Sequence, residues 1–503
     1  MENRISRSSR RRPVVYPAVA SVLTALAISA GTVEAQQLAW ETNYGGQYNE
    51  SGYACQRTSD SGYVVLGSTY SFGAGDHDVY LLRLTAYGDT LFSRTYGGPE
   101  TDYGYDVLPT SDGGFVITGM TRSAGSGKGD VYLLKVDSVG TVIFEKTYGG
   151  PERDEGRSVR RAPDGGLIIA GTTASFGAGY DDVYLLKVDQ AGNLQWSRTY
   201  GGTGGESGSA VRVTPDGGYA VIGSTGSFGE GYSSIYLIRT DSNGDSVWAR
   251  TYGGTRADFG YSLEPTLDSG FALIGWTTSY GAGYSDVFLL KIDSAGYQEW
   301  QNTFGGDLDE RGYSVQQAAD GSFVIGGTTE TYGNGKVDLY MISLDTLGHE
   351  SWSITMGGIE SDYCRSIVME DQACIAIGCS YSYSSGGSDV YISKVRTDQM
   401  TPVEEPLQAL PDGFLLAQNY PNPFNLSTTI EFQLPQRGRT RLCIYNLLGR
   451  LVRQWQYSSA PAGLNSISWD GTDESGRVVS SGVYFYRLET ARFNRTKKMV
   501  LLK

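Results

Sequence analysis

LAWETNY at residues 38–44 is a strand-like phrase in the wrong place. It has the same tryptophan and tyrosine spacing as LQWSRTY at 194–200, which closes a repeated unit, yet it precedes the first unit. The phrase runs into Gly45–Gly46, and glycine pairs then recur at 97, 149, 201, 253, 305 and 357, always 52 residues apart. A fixed period of this size outranks any local motif when a fold is read from sequence.

One unit supplies four strands. In the unit that begins at Gly156, RSVRRA (157–162), LIIAGTT (167–173), DVYLLKVD (182–189) and LQWSRTY (194–200) are rich in apolar, β-branched and aromatic residues. PDGG, SFGAG and QAGN separate them, with glycine and aspartate suited to tight hairpins. Helical periodicity is missing throughout. The last unit stops after DVYISKVRTD (389–398), before any fourth strand. Seven fourth strands and seven sets of the other three therefore exist, offset by one. A ring solves the offset, because the N-terminal strand can complete the last blade and remove two open edges. A solenoid would need capping units instead. The expected fold is all-β: a seven-bladed β-propeller closed by its N-terminal strand. The seventh unit has lost a residue between Glu370 and Asp371 and reads DQA where other units read DGG or close variants.

Two registers are acidic. Glu50, Asp102, Asp154, Glu206, Asp258, Glu310 and Asp362 each follow the second glycine of a pair by four residues. Asp78, Asp130, Asp182, Asp286, Asp338 and Asp389 open the third strand, with Ser234 in the fourth unit. Such acids can cap backbone N–H groups of their own turns, or form a carboxylate ring that collects cations or a basic ligand. The glycine-rich loops differ at their tips, where Asp76, His77, Lys128, Tyr180, Tyr232 and Lys336 could shape a binding face. Trp276, alone in its register, is taken with these as a loop-face candidate, whereas Trp40, Trp196, Trp248, Trp300 and Trp352 recur and suit packing between blades.

Catalytic material is sparse. His77 and His349 are the only histidines, which excludes a histidine metal cluster, and no HExxH, GxSxG, CxxC or P-loop occurs. No cofactor is expected. Calcium is the one ion left open, by Asp76 and Asp78, although the spaced series of an EF-hand is missing. The five cysteines, Cys55, Cys364, Cys374, Cys379 and Cys443, are too few for a disulfide scaffold. They read as small buried groups, with one bridge within 364–379 left open.

Residues 1–35 combine Arg4, Arg7, Arg10, Arg11 and Arg12 with the apolar run VVYPAVASVLTALAISA and a VEA end, the pattern of a secretory signal peptide. The formal charge of −15 opposes nucleic-acid binding. Residues 36–398 hold the repeats, and QMTPVEEPLQALPDG (399–413) reads as a linker, extending to residue 414. Residues 415–503 carry twelve Lys/Arg against five Asp/Glu, a reversal of charge that marks a second domain. Its strands TTIEFQL (428–434), TRLCIYNLL (440–448), LVRQWQY (451–457), NSISWDG (465–471), GVYFYRLE (482–489) and TKKMVLLK (496–503) suit a small immunoglobulin-like β-sandwich.

AQNYPNPFN (417–425), IYNLLGRLV (444–452), WDGTDESGRVVSSGVYFYRL (469–488) and the terminal KKMVLLK resemble the C-terminal sorting domain of bacterial type IX secretion substrates. The same pattern is similar to the immunoglobulin-like module of flagellar hook-capping proteins. The resemblance implies export, then recognition of residues 415–503 by outer-membrane secretion machinery. The repeats loosely resemble propeller repeats of bacterial extracellular proteins. The expected protein is a monomer that is secreted or held on the outer cell surface, a non-catalytic binding or adhesion module for a glycan or a protein. An extracellular carboxylate-dependent glycoside hydrolase or lyase and a structural surface component are the alternatives.

Overall fold

The computed structural model describes residues 38–397 except 385, and residues 415–502 except 417–418, 420–421, 423, 426, 435–437, 448, 461–462 and 491–493. The signal segment 1–35, the linker 399–414 and the prolines of the NPFN corner, Pro421 and Pro423, lie outside the described residues. The chain divides into two compact units, Met1–Pro402 and Val403–Lys503.

The first unit is a seven-bladed propeller. Strand β1 (Leu38–Tyr44) precedes blade 1, which comprises β2 (Glu50–Arg57), β3 (Tyr63–Thr69), β4 (Asp78–Leu84) and β5 (Thr90–Tyr96), hydrogen-bonded in that order. Five further blades repeat the arrangement at 52-residue intervals. Blade 7 supplies Asp362–Glu370, Ala373–Ser380 and Asp389–Arg396, and β1 pairs antiparallel with the last of these, from Trp40 opposite Lys394 to Tyr44 opposite Val390. The offset seen in the sequence is thus the closure of the ring.

The second and third strands of each blade are buried along their length, as YVVLGST and DVYLLRL show in blade 1. Both of their faces pack on neighbouring blades, so they carry continuous apolar runs rather than an alternating pattern. The outer strands alternate and expose part of one face.

The first strand of each unit begins three residues before the expected start: not at Arg157 but at Asp154. The register shifts between Gly156 and Ser158, leaving Arg157 as an unpaired bulge residue. The extra residue breaks the alternation of period two, which hid the true start. Blades 1, 2, 4, 5 and 6 bulge at the equivalent position, and blade 7 between Cys364 and Ser366.

The tyrosine of each TYGG phrase ties one blade to the next. The hydroxyls of Tyr96, Tyr148, Tyr200 and Tyr252 donate to the carbonyls of Gly140, Gly192, Gly244 and Gly296 at 2.8, 2.5, 2.5 and 2.7 Å. Tyr44 makes the same bond to Gly88 across the closure. Phe304 lacks a hydroxyl, and there the Asn302 side chain donates to Gly348 O at 2.9 Å instead. The first glycine of the phrase is required by space. A Cβ on Gly97, whose φ is +142°, would sit 2.5 Å from both Asp102 Oδ2 and Asp78 Oδ1.

The missing residue of unit seven leaves Asp371–Gln372 as a two-residue hairpin loop. Glu370 at its edge accepts the Tyr63 hydroxyl at 2.7 Å, and pairs with Lys394 at 2.7 Å and Arg57 at 3.5 Å, stitching blade 7 to blade 1. All five cysteines are free and buried, so the bridge considered within 364–379 is not made. Burial pushes the Cys379 thiol up to about 11 and the Cys364 thiol up to about 12.

The second unit is a β-sandwich. Leu415–Leu416, Thr428–Leu434 and Gly463–Trp469 form one sheet. Leu451–Ala460, Gly438–Asn446, Gly482–Thr490 and Asn494–Leu501, in that order, form the other. Fully buried Trp469 centres the core with Ile430, Phe432, Tyr486 and Leu488. Phe424 of the NPFN phrase packs on Trp469 with ring centroids 5.5 Å apart, and its N–H donates to Val500 O at 3.0 Å.

Candidate functional site

The seven acids that open the inner strands are buried, with relative exposures of 0–2 %. Glu50 accepts from Gly46 N at 2.7 Å, Thr69 Oγ1 at 2.7 Å and Ser71 N at 3.0 Å. Glu206 and Glu310 repeat this pattern on Gly202, Thr225 and Ser227, and on Gly306, Thr329 and Thr331. The shorter aspartates recruit a serine hydroxyl. Asp102, Asp154, Asp258 and Asp362 accept from Ser123, Ser175, Ser279 and Ser382 Oγ at 2.6, 2.6, 2.8 and 2.6 Å. Each also accepts the N–H of the second glycine, on Gly98, Gly150, Gly254 and Gly358. One side-chain carbon decides whether the carboxylate reaches the far turn directly or with the help of the serine. Their oxygens are engaged within the blade seams.

The third-strand aspartates face these acids across the same seams. Asp78 Oδ2 accepts from Ala74 and Gly75 N at 2.8 and 3.0 Å, which organises the glycine-rich loop. Burial and the Glu310 charge push Asp286 up to about 6. Burial, opposed by a bond from Gly335 and reinforced by Asp362, does the same for Asp338. The folded state therefore holds protons that the unfolded chain has already released. This contribution is fully present below about pH 4 and is lost as pH rises through about 6. Hairpin residues Asp112 and Asp268, held down to about 2, matter only in stronger acid. Unfolding in denaturant at pH 5.0 and 7.5 is expected to show the higher midpoint at pH 5.0, with the difference reduced in Asp338→Asn.

The loop residues divide between two environments. Tyr180 and Tyr232 are 81 % and 90 % exposed, and Tyr284, not singled out from the sequence, is 72 % exposed in the same register of blade 5. Three consecutive blades thus present one projecting ring each. Lys128 and Lys336, in the same register of blades 2 and 6, are paired with Glu152 and Glu360 at 2.6 and 2.7 Å. Asp76 holds this register in blade 1. Its neighbour His77 stacks between Tyr70 and Tyr103, at 5.1 and 5.2 Å, and burial lowers its pKa. Trp276 does not belong to the loop tips. It stacks on Phe259 at 4.5 Å, its Nε1–H donates to the Tyr261 hydroxyl at 3.3 Å, and the Arg311 guanidinium lies 5.2 Å from its ring.

Trp276 thereby points to a site that the repeated pattern conceals. The bulge residues of the seven inner strands are Tyr53, Tyr105, Arg157, Ser209, Tyr261, Tyr313 and Arg365, all half-buried. Tyr53 meets Tyr105 edge to face at 5.6 Å, and Arg157 covers Tyr105 at 4.1 Å. Tyr261 meets Tyr313 at 5.0 Å, and Arg365 covers Tyr313 at 4.4 Å. Arg157 lies within electrostatic reach of Tyr53, and Arg365 of Tyr53 and Tyr261, so residues of non-adjacent blades converge on the axis. The ring of bulky side chains is broken at Ser209. Next to it Ser207 occupies the register that holds Tyr103, Phe259 and Tyr363 in other blades. Farther along the strands Arg160 pairs with Asp106 at 2.5 Å and Arg212 with Glu264 at 3.5 Å. Burial and the Arg160 guanidinium pull Arg212 down to about 10.

Among the described residues, no cluster of three or more His, Cys, Asp or Glu side chains is arranged to hold a metal ion. A groove of about 640 Å³ also lies between the outer parts of blades 4 and 5, lined by Phe228, Tyr236, Arg250 and Tyr297. Arg250 stacks on Tyr297 at 4.1 Å along its wall.

A family model described as the FlgD Ig-like domain matches residues 424–492. The regulatory protein FlaEY of Caulobacter vibrioides is 24% identical over 187 residues, which cover 31% of this chain and 20% of that protein. The chain therefore matches about a fifth of the length of that curated relative. PorZ of Porphyromonas gingivalis, described as an essential bacterial surface component of the type-IX secretion system, is 13% identical with a TM-score of 0.44. That alignment covers 93% of this chain and 61% of PorZ. FlgD from P. aeruginosa is 19% identical with a TM-score of 0.13, over 18% of this chain and 73% of that one. The chain pairs a seven-bladed propeller with a C-terminal domain of the FlgD Ig-like pattern.

Proposed function

We propose that this is an exported protein of the outer cell surface whose propeller binds an extracellular glycan without cleaving it. Residues 415–503 would serve as the domain that the secretion machinery recognises. The observation that carries the binding reading is the trio of exposed rings, Tyr180, Tyr232 and Tyr284, on one rim of three adjacent blades. A tyrosine ring stacks on the apolar face of a pyranose while its hydroxyl bonds to sugar oxygens, and its two χ angles make it cheap to order. Trp276 and Phe259 add a second aromatic platform on the first two strands of blade 5. The tail reading is supported by the basic and apolar segment at 1–35, by the sorting-domain resemblance and by the FlgD Ig-like match.

The test is a glycan array probed with the full chain, followed by calorimetry on the best ligand. Replacing Tyr180, Tyr232 and Tyr284 together by alanine should weaken binding about 10- to 100-fold, about 1.4–2.7 kcal/mol for the set, with an unchanged melting temperature. An unaltered affinity would sink the assignment to this rim. Release of new reducing ends would overturn its non-catalytic part.

A further inference from the structure

Arg365 is half-buried where residues of blades 1, 5 and 6 converge on it, yet among the described residues no carboxylate pairs with it. Its guanidinium is held by aromatic faces alone, 4.4 Å from the Tyr313 centroid and 5.6 Å from that of Tyr363. The other arginines on the axis are treated differently. Arg157 is neutralised by Glu155 at 2.8 Å, Arg160 by Asp106 and Arg212 by Glu264, while Arg311 lies within electrostatic reach of Glu330. A guanidinium taken partly out of water without a counter-charge is costly, and cation–π contacts return only part of that cost. Around it stand Tyr53, Tyr105 and Tyr313, whose hydroxyls make no hydrogen bond within the protein among the described residues. The ring of bulky side chains is interrupted at one point, where Ser209 replaces a larger residue and Ser207 stands beside it.

We propose that this ring is an anion site that takes the carboxylate of an acidic sugar unit, admitted past Ser207 and Ser209 and held by Arg365 and the tyrosine hydroxyls. The inference rests on the glycan reading and narrows it to uronate-bearing chains. Bidentate pairing suits a planar guanidinium and a carboxylate, and the flanking rings suit the sugar that carries it.

Calorimetry of the full chain with tetragalacturonate and with its carboxyl-reduced neutral counterpart tests this. The wild type should prefer the acidic chain by about 10- to 100-fold, the scale of a charge-assisted hydrogen-bonded pair. Arg365→Ala should abolish the preference while leaving the affinity for the neutral chain in place, and Arg365→Lys should keep part of it. Ser209→Tyr should exclude the acid by closing the gap. Circular dichroism and melting curves report whether the variants fold. If they do not, competition on the wild type decides: free galacturonate must displace the tetrasaccharide, and galactose must not. Equal affinity for the two chains, or a preference that survives Arg365→Ala, would overturn the anion site and leave the glycan reading standing. Binding of neither chain would overturn the anion site and leave the glycan array to decide the broader reading; binding of a carboxylate-terminated peptide, with no glycan bound on the array, would overturn both.

Discussion

Deleting Leu38–Tyr44 is expected to abolish the folded propeller rather than trim one edge from it. The segment is the outer strand of blade 7, and its loss leaves Asp389–Arg396 with an unpaired edge. Tyr44, 1 % exposed, is withdrawn from the core it shares with Tyr80, Leu82 and Ile392, and its bond to Gly88 O is lost. The Tyr391 hydroxyl, deeply buried, loses its acceptor Glu41. Removing a large core aromatic alone costs about 3–5 kcal/mol, comparable with the whole stability of many domains. The decisive control moves the strand instead of deleting it. When LAWETNY is placed after Thr397 behind a five-residue turn of the kind that joins β4 to β5, the blade is complete again. Tryptophan fluorescence and near-ultraviolet dichroism should then return to the wild-type melting profile. A deletion that melts like the wild type would mean that closure contributes nothing.

The second large effect concerns the buried acids. Asp258→Ala strands the N–H of Gly254 and the hydroxyls of Thr277 and Ser279, all of which converge on one carboxylate. Each buried donor left without an acceptor costs about 1–3 kcal/mol, so a loss of about 3–5 kcal/mol is expected after partial relaxation. Asp258→Asn should cost less, because its carbonyl still accepts while its amide adds a donor to a site already full of donors. Because the oxygens are engaged by the protein, a chelator is expected to leave the wild-type midpoint unchanged. Guanidinium unfolding followed by tryptophan fluorescence measures both variants. An Asp258→Ala midpoint equal to the wild type, or a wild-type midpoint that falls with chelator, would show that these acids serve something other than the seams.

The acids and the channel differ in how far they could be read in advance. Glu50 and its six counterparts were conspicuous because they repeat, and both a capping and a ligand role suited them. Their hydrogen bonds reach a glycine four residues back and a serine or threonine about 20 residues ahead, and only the paired strands bring those groups together. Tyr53, Arg157, Ser209 and Arg365 drew no attention, because a position that varies among Tyr, Arg and Ser between repeats looks like drift. The bulge that turns these residues toward the axis is a feature of the paired backbone and has no residue signature of its own. Trp276 is conspicuous in the sequence, but its stacking partner Phe259 lies 17 residues away in the chain, so only the folded strands show that it belongs to this region and not to the loop face.

The sequence by itself determined the architecture. A 52-residue period, four strands per unit and a stray outer strand at the N terminus admit one closed solution, because backbone N–H and C=O groups at an open edge must find partners. The tertiary structure alone decided what the ring encloses. Tyr53 and Arg365 are more than 300 residues apart in the chain, and Arg157 and Ser209 stand in blades that share no sheet with either. Closing seven blades on one axis brings all four to a common level, and that convergence, rather than any local motif, makes a site of them.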